Sequence, residues 1–265
     1  MSTFPQPIWI LKVHRTPNVR SRCGYAQQIY RNKVAQSMCR SASNLQFSLE
    51  CLFDTINFEN STVLDIGGGS GIYSFYAACR GAREVICLEP EEAGSSTKIT
   101  EKFERCRMRL DLPQTKLVHQ TFQSFDPSKT KFDVILLINS INHLDEKACI
   151  QLRTDKHSQE IYRAIFTKIS LLSWIGTRLI LCDCSRYNFF PMLYMTNPFA
   201  QSIDWKKHQP PWIWARFLSE SGFGNLTTVW SSFNTLGNVG RFFLGNSFIA
   251  FFLTSHFCLR AEKVR

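Results

Sequence analysis

The sequence predicts an α/β protein with a doubly wound, mostly parallel seven-stranded sheet in three α/β/α layers. Three observations carry this. Short apolar runs of strand length alternate with helical segments along most of the 265 residues. The first such run, Thr62 to Ile66, enters a glycine-rich turn, as a buried parallel strand does before a crossover helix. The run Phe132 to Ile138, Phe-Asp-Val-Ile-Leu-Leu-Ile, is apolar almost throughout, which suits a strand covered on both faces.

The turn reads Asp65-Ile66-Gly67-Gly68-Gly69-Ser70-Gly71. Residues without Cβ let the backbone take otherwise forbidden angles and approach a ligand closely. The dinucleotide fingerprint G-x-G-x-x-G uses its last glycine for helix packing. Counted from Gly67 that position is Ile72, and counted from Gly69 it is Ser74. The segment is instead D-x-G-x-G-x-G. Asp65 would repel a pyrophosphate and suits a cationic ligand. The next apolar run, Val85 to Leu88, closes on Glu89, a carboxylate able to accept both hydroxyls of a ribose.

This stretch resembles motif I of the class I S-adenosylmethionine-dependent methyltransferases, and Glu89 resembles their ribose-binding acid. The resemblance spans residues 43 to 265. It implies S-adenosyl-L-methionine as cofactor and S-adenosyl-L-homocysteine as product. It also implies a last strand antiparallel to the rest.

The elements follow in order. Residues 1 to 24, with Pro5, Pro7, Pro17 and Gly24, read as an irregular arm, and 25 to 40 as a moderately amphipathic helix. In small-molecule methyltransferases the segment before the core caps the active site, so 1–42 is expected to be a basic arm with a candidate lid helix, or a helix packed on the core edge. Ser43 is the expected N-cap of a helix whose Leu45, Leu49, Leu52, Phe53 and Ile56 share one face. Residues 72 to 80 form the first crossover helix, 84 to 89 the second strand, 92 to 110 a charged helix and 117 to 119 the third strand. The loop from Gln120 to Phe125 corresponds to the place where the resembling enzymes hold adenine, which makes Thr121, Phe122 and Gln123 candidates. Phe122 would stack on the base or belong to the core.

The fourth strand ends in Asn139-Ser140-Ile141-Asn142-His143-Leu144. The position resembles the family's fourth motif, beside sulfonium and substrate, and makes Asn139 a cofactor-site candidate. Base and amide N-methylases of the fold carry Asn/Asp-Pro-Pro-aromatic there, which this chain lacks. No Pro-Cys follows, as it would in pyrimidine C5-methylases. Asn197-Pro198-Phe199 lies far downstream and reads as a turn. Residues 157 to 175 are expected as a helix, and Arg178 to Cys182 as the fifth strand, ending at Asp183. The aromatic-rich insertion 184–209 follows, long for an inert loop. Pro210 and Pro211 open a helix through Ser221 that Gly222 stops. Leu226 to Ser231 is the sixth strand, 236 to 250 a helix, and Phe251 to Ala261 the last strand.

Composition bounds the rest. Apolar residues make up 44% of the chain and 22 are Phe, enough for a sizeable core. The ten cysteines are scattered with no C-x-x-C, which points to a reducing compartment, no disulfides and no metal site. Ile8 to Leu11 is too short for a secretory leader, and Phe242 to Leu259 is broken by Gly245, Asn246, Ser247 and His256, a poor membrane span. The expected location is the cytoplasm. The net charge is +10, and the first 49 residues carry Lys12, Arg15, Arg20, Arg22, Arg31, Lys33 and Arg40 without an acid. Such an arm suits an anionic substrate, a nucleic acid or an acidic surface, or is a solvated face.

Methyl transfer is an in-line displacement, and the protein must hold a nucleophile about 3 Å from the methyl. An oxygen nucleophile must also shed a proton, and imidazole exchanges protons near neutral pH. His143 after the fourth strand, Asp183 at the end of the fifth and His208 in the insertion are the catalytic candidates. Each has a structural alternative: a helix cap for His143, a bond to backbone amides at the strand end or an ion pair with Arg186 for Asp183, and a surface position for His208. The favoured reading is methylation of a small molecule, aromatic or anionic, at oxygen rather than nitrogen. Alternatives are an RNA or protein methyltransferase of the same fold and a non-catalytic cofactor-binding scaffold.

Overall fold

A computed structural model describes residues 42–90, 99–126, 130–231 and 237–265. The elements are α1 (Ala42–Leu52), β1 (Thr62–Ile66), α2 (Ile72–Cys79), β2 (Glu84–Leu88), α3 (Ile99–Leu110), β3 (Thr115–Val118), β4 (Phe132–Ile138), α4 (Glu146–Gln151), α5 (Lys156–Leu171), β5 (Ser173–Cys184), α6 (Phe189–Met192), α7 (Pro211–Glu220), β6 (Phe223–Trp230), α8 (Gly237–Leu244), α9 (Ser247–Phe252) and β7 (His256–Lys263). The arm, the lid helix and residues 92 to 98 of the charged helix lie outside the described residues.

The seven strands form one sheet in the order β3-β2-β1-β4-β5-β7-β6. Six point the same way, and only β7 is reversed, running antiparallel to both β5 and β6. This is the expected fold class. The chain winds outward from β1 to β3, then returns to β4, so the C-terminal ends of β1 and β4 diverge at the point where ligands bind in open α/β sheets.

Strand side chains alternate between two cores. Leu64, Ile135, Leu137, Leu179 and Leu181 face α5 and α7, where Trp214, Tyr162, Phe166 and Phe217 fill the layer. Phe166 and Phe217 stack with centroids 5.6 Å apart. Val63, Val134, Leu136 and Ile180 face α1, α2 and α3. There Phe75 and Phe103 meet at 4.7 Å.

Several boundaries differ from the sequence expectation. Ser43 lies inside α1 rather than capping it, and Ile56 lies beyond its end. The helix expected through residue 175 stops at Leu171, and β5 already starts at Ser173, which pairs with Phe132. Thr177 decides this: its Oγ1 accepts the Trp174 N–H (2.7 Å) and donates to the Phe132 carbonyl (2.7 Å). Trp174 and Ile175 are apolar yet 52% and 79% exposed, so the helical periodicity there was not a buried face. The helix expected over 236–250 is two helices, because Asn246 accepts the Ile249 N–H and starts a new one. Phe251 and Phe252 therefore belong to α9, and β7 begins only at His256. β3 and β6 start earlier than expected, at Thr115 and Phe223.

The insertion is anchored rather than loose. Asn188, fully buried, donates from Nδ2 to the Leu253 carbonyl (3.0 Å) and to Ser255 Oγ (2.9 Å), and Asn197 donates to Asn188 Oδ1 (3.0 Å). Among the described residues no helix is long and apolar enough to cross a membrane.

Candidate active site

The turn after β1 is built on two supports. Gly67 N–H donates to the Leu88 carbonyl (2.8 Å), which ties the turn to β2, and Ser140 Oγ donates to the Ile66 carbonyl (2.6 Å), which ties it to β4. Gly69 has φ +53, and a Cβ there would meet nothing within 4 Å. The glycine serves the backbone angle, and the space beside it is left open.

Glu89 sits across from this turn. Its Oε2 accepts the Gly69 N–H at 2.9 Å. Glu89 and Gly67 edge a cavity of about 610 Å³ at the C-terminal ends of β1, β2 and β4. Thr121, Phe122, Gln123, Asn139 and His143 also line it. The fold thus brings most of the sequence-identified donor residues around one space. Their side chains differ in availability. Phe122 is 2% exposed, and its ring belongs to the core beneath α5, with Lys168 Nζ 5.2 Å above it. Gln123 Nε2 donates to the Leu144 carbonyl (2.5 Å), and Thr121 Oγ1 pairs with Ser124 Oγ (2.9 Å).

Asp65 lies below the turn rather than in the cavity. It is buried, and its Oδ2 accepts from Ser74 Oγ at 2.7 Å, joining β1 to α2. Burial raises its pKa from 3.8 to about 6; the nearby Glu89 charge adds to this, and the Ser74 bonds oppose it. The folded state therefore holds a proton that the unfolded chain has already released. That contribution to stability is full below the unfolded value of 3.8 and is lost as pH rises through about 6. Urea unfolding should show wild type losing ground to Asp65→Asn between about pH 4 and pH 7. A stability difference that stays flat across this range would refute the assignment.

Asn139 has φ +55 and donates its N–H to the Cys182 carbonyl (2.8 Å). It borders the large cavity and also a second one of about 170 Å³ between α1 and strands β4, β5, β6 and β7. Tyr73, Trp230, His256 and Arg260 help line this second space. Arg260 Nη1 is paired with Asp54 Oδ1 at 2.8 Å, and its buried Nε has no hydrogen-bond partner among the described residues. Sequence reading did not single out Arg260 or His256. Both sit on a strand whose start it misplaced.

The three catalytic candidates divide. His143, on the wall of the larger cavity, has its Nδ1 2.6 Å from Glu146 Oε1. Glu146 also holds Lys207 Nζ at 2.7 Å, and these partners, Lys207 foremost, keep its carboxyl below the ordinary range. Asp183 and His208 come together: His208 Nδ1 is 2.7 Å from Asp183 Oδ1. Asp183 is fully buried and also accepts the Cys184 N–H (2.8 Å), so it does not pair with Arg186. Its Oδ2 has no hydrogen-bond partner among the described residues. Cys184 Sγ, in turn, is 3.0 Å from His256 Nε2. No sequence spacing announced this cluster, because strand pairing and the end of the insertion assemble it.

Comparison with known proteins agrees with this architecture. A family described as Conserved hypothetical protein 95 matches residues 49–164. The chain is similar to a SAM dependent methyltransferase from Aquifex aeolicus at 13% identity, with TM-score 0.55, over 91% of this chain and 98% of that one. A SAM dependent methyltransferase from Archaeoglobus fulgidus gives 13% identity and TM-score 0.54 over 84% and 96%. The cyclase SpnF gives 11% and 0.54 over 84% and 82%. Comparison with curated proteins gives no match. At these identities the likeness is one of fold.

Proposed function

We propose that this chain, which has the class I S-adenosylmethionine-dependent methyltransferase fold, binds S-adenosyl-L-methionine in the 610 Å³ cavity and transfers its methyl to a small-molecule acceptor. The observation that carries the reading is Glu89 on the wall of that cavity, beside Gly67 and bonded to the Gly69 N–H of the glycine turn. A ribose laid there finds a carboxylate for its hydroxyls and an open glycine backbone beside it. Asp65 then acts from below by holding the turn on α2.

The acceptor side is the second cavity, which Asn139 joins to the first. Aromatic walls from Tyr73 and Trp230 and the unpartnered Arg260 Nε suit a flat ligand with an acceptor oxygen or a negative group. Oxygen is favoured over nitrogen because the strand β4 end carries Asn139-Ser140-Ile141 where base and amide N-methylases carry Asn/Asp-Pro-Pro-aromatic. Of the catalytic candidates, His143 lines the first cavity, while the His208–Asp183 pair reaches the second only through Cys184, which touches His256 on its wall. The insertion 184–209 contributes His208 to the pair, and a cytoplasmic location accords with the free thiols.

The fold is also carried by a protein named as a cyclase, so donor binding and methyl transfer are tested separately. Calorimetry with S-adenosyl-L-methionine and S-adenosyl-L-homocysteine comes first, with micromolar binding expected. Acceptor panels with labelled methyl follow, small phenols and carboxylates against RNA. No donor binding would refute the reading. Labelling of RNA alone would replace the small-molecule acceptor with a nucleic acid.

A further inference from the structure

We propose that Asp183, Cys184 and His208, with His256 as fourth donor, hold a zinc-class divalent cation at the C-terminal end of β5. The proposal goes beyond methyl transfer and does not rest on it. The donor atoms of Asp183, Cys184 and His208 all lie within 4.8 Å of one another. His256 adds Nε2 at 3.0 Å from Cys184 Sγ. The fold sets these positions from three separate places. Asp183 and Cys184 end β5, His256 is the register partner of Cys184 on β7, and His208 closes the insertion just before Pro210.

One atom shows that something is missing from the protein's own hydrogen bonding. Asp183 is fully buried, its Oδ1 is shared by His208 Nδ1 and the Cys184 N–H, and its Oδ2 meets no donor among the described residues. A buried carboxylate oxygen left bare is costly, and a cation removes that cost. The donor set then selects the ion. One thiolate, two imidazoles and one carboxylate match a tetrahedral zinc site, whereas magnesium and calcium take oxygen donors. Bound there, the ion would fasten the insertion's end to β5 and β7, next to the acceptor cavity that His256 also lines.

The test uses the full chain, first stripped with a chelator and then titrated with zinc and with cobalt(II). Wild type should take up one equivalent of zinc. The cobalt form should show a thiolate-to-metal charge-transfer band in the near ultraviolet and the intense visible bands of tetrahedral cobalt. Cys184→Ser should lose the charge-transfer band. His208→Gln, at a position open to solvent on one side, should lower zinc affinity at least about 10-fold, the loss that even an outer-sphere partner of a ligand can cause. Should Cys184→Ser fail to fold, the wild-type band and the His208→Gln affinity still decide. The proposal is overturned if wild type takes up no zinc, as a hydrogen-bonded Asp183–His208 pair alone would behave. It is equally overturned if both variants bind like wild type, which would put the ion on other thiols. Affinity for S-adenosyl-L-homocysteine, measured on the same samples, reads the donor site independently.

Discussion

Replacing Gly71 by alanine should cost about 3 kcal/mol of folding stability, from a left-handed backbone penalty and forced overpacking together. Gly71 has φ +83 immediately before α2. A Cβ at that position would stand 2.7 Å from two ring atoms of Phe103 and 2.9 Å from Phe75. Neither ring has room to withdraw, since both are fully buried and lean on each other between α2 and α3. Gly69→Ala is the internal comparison. Its φ of +53 carries the same backbone strain, but a Cβ meets nothing, so it should cost only about 1 kcal/mol. Chemical unfolding of both variants reads the difference. Equal losses in the two would show that the Phe75–Phe103 contact does not limit the turn.

The second large effect is on the ligand. Glu89→Ala should weaken S-adenosyl-L-homocysteine binding about 100-fold, the loss of two hydrogen bonds to a charged group at a net ~1.5 kcal/mol each. Stability should fall far less, because among the described residues the carboxylate gives up only its bond to the Gly69 N–H. The two readouts separate two roles. A folded variant with weak binding marks Glu89 as the ribose acid. Affinity within about threefold of wild type, beyond what a ribose contact of this strength allows, would leave it as a brace for the turn and move the nucleoside elsewhere in the cavity.

The parts of this fold legible in the sequence are those where one physical demand dominates. β1 and β4 are sandwiched between two helical layers, so burial on both faces writes them as unbroken apolar runs. The turn after β1 announces itself because few residues other than glycine accept its angles. Leu171 to Ile175 was ambiguous because its apolar residues satisfy a helix and a strand equally, and a hydroxyl at Thr177 settles the matter through space. Phe251 and Phe252 read as strand residues by composition, yet the Asn246 cap places them in α9.

The sites divide along the same line. Glu89 could be found because its distance from the glycine turn along the chain is fixed by one βαβ unit. Asp183 and His208 were each recognisable as titratable groups at strand or loop ends, but their pairing spans 25 residues of insertion and has no spacing rule. Cys184 and His256 were hidden more deeply. They are opposite each other only because β7 pairs with β5 in one register, and a single residue's slip would turn them to opposite faces.

The position of β7 between β5 and β6 has a consequence for how the molecule comes into being. β6 joins the sheet only through β7, and β7 is made last. During synthesis on the ribosome, β1 to β5 can close their ladder as they emerge, whereas β6 must wait until residues past His256 are available. The Asn188 and Asn197 amides wait with it, since Leu253 and Ser255 are their partners. The nascent chain therefore holds a finished wall around the larger cavity before the smaller one can form at all. Chaperone contacts with the growing chain should concentrate on the insertion and β6, the segments with the longest interval between synthesis and burial.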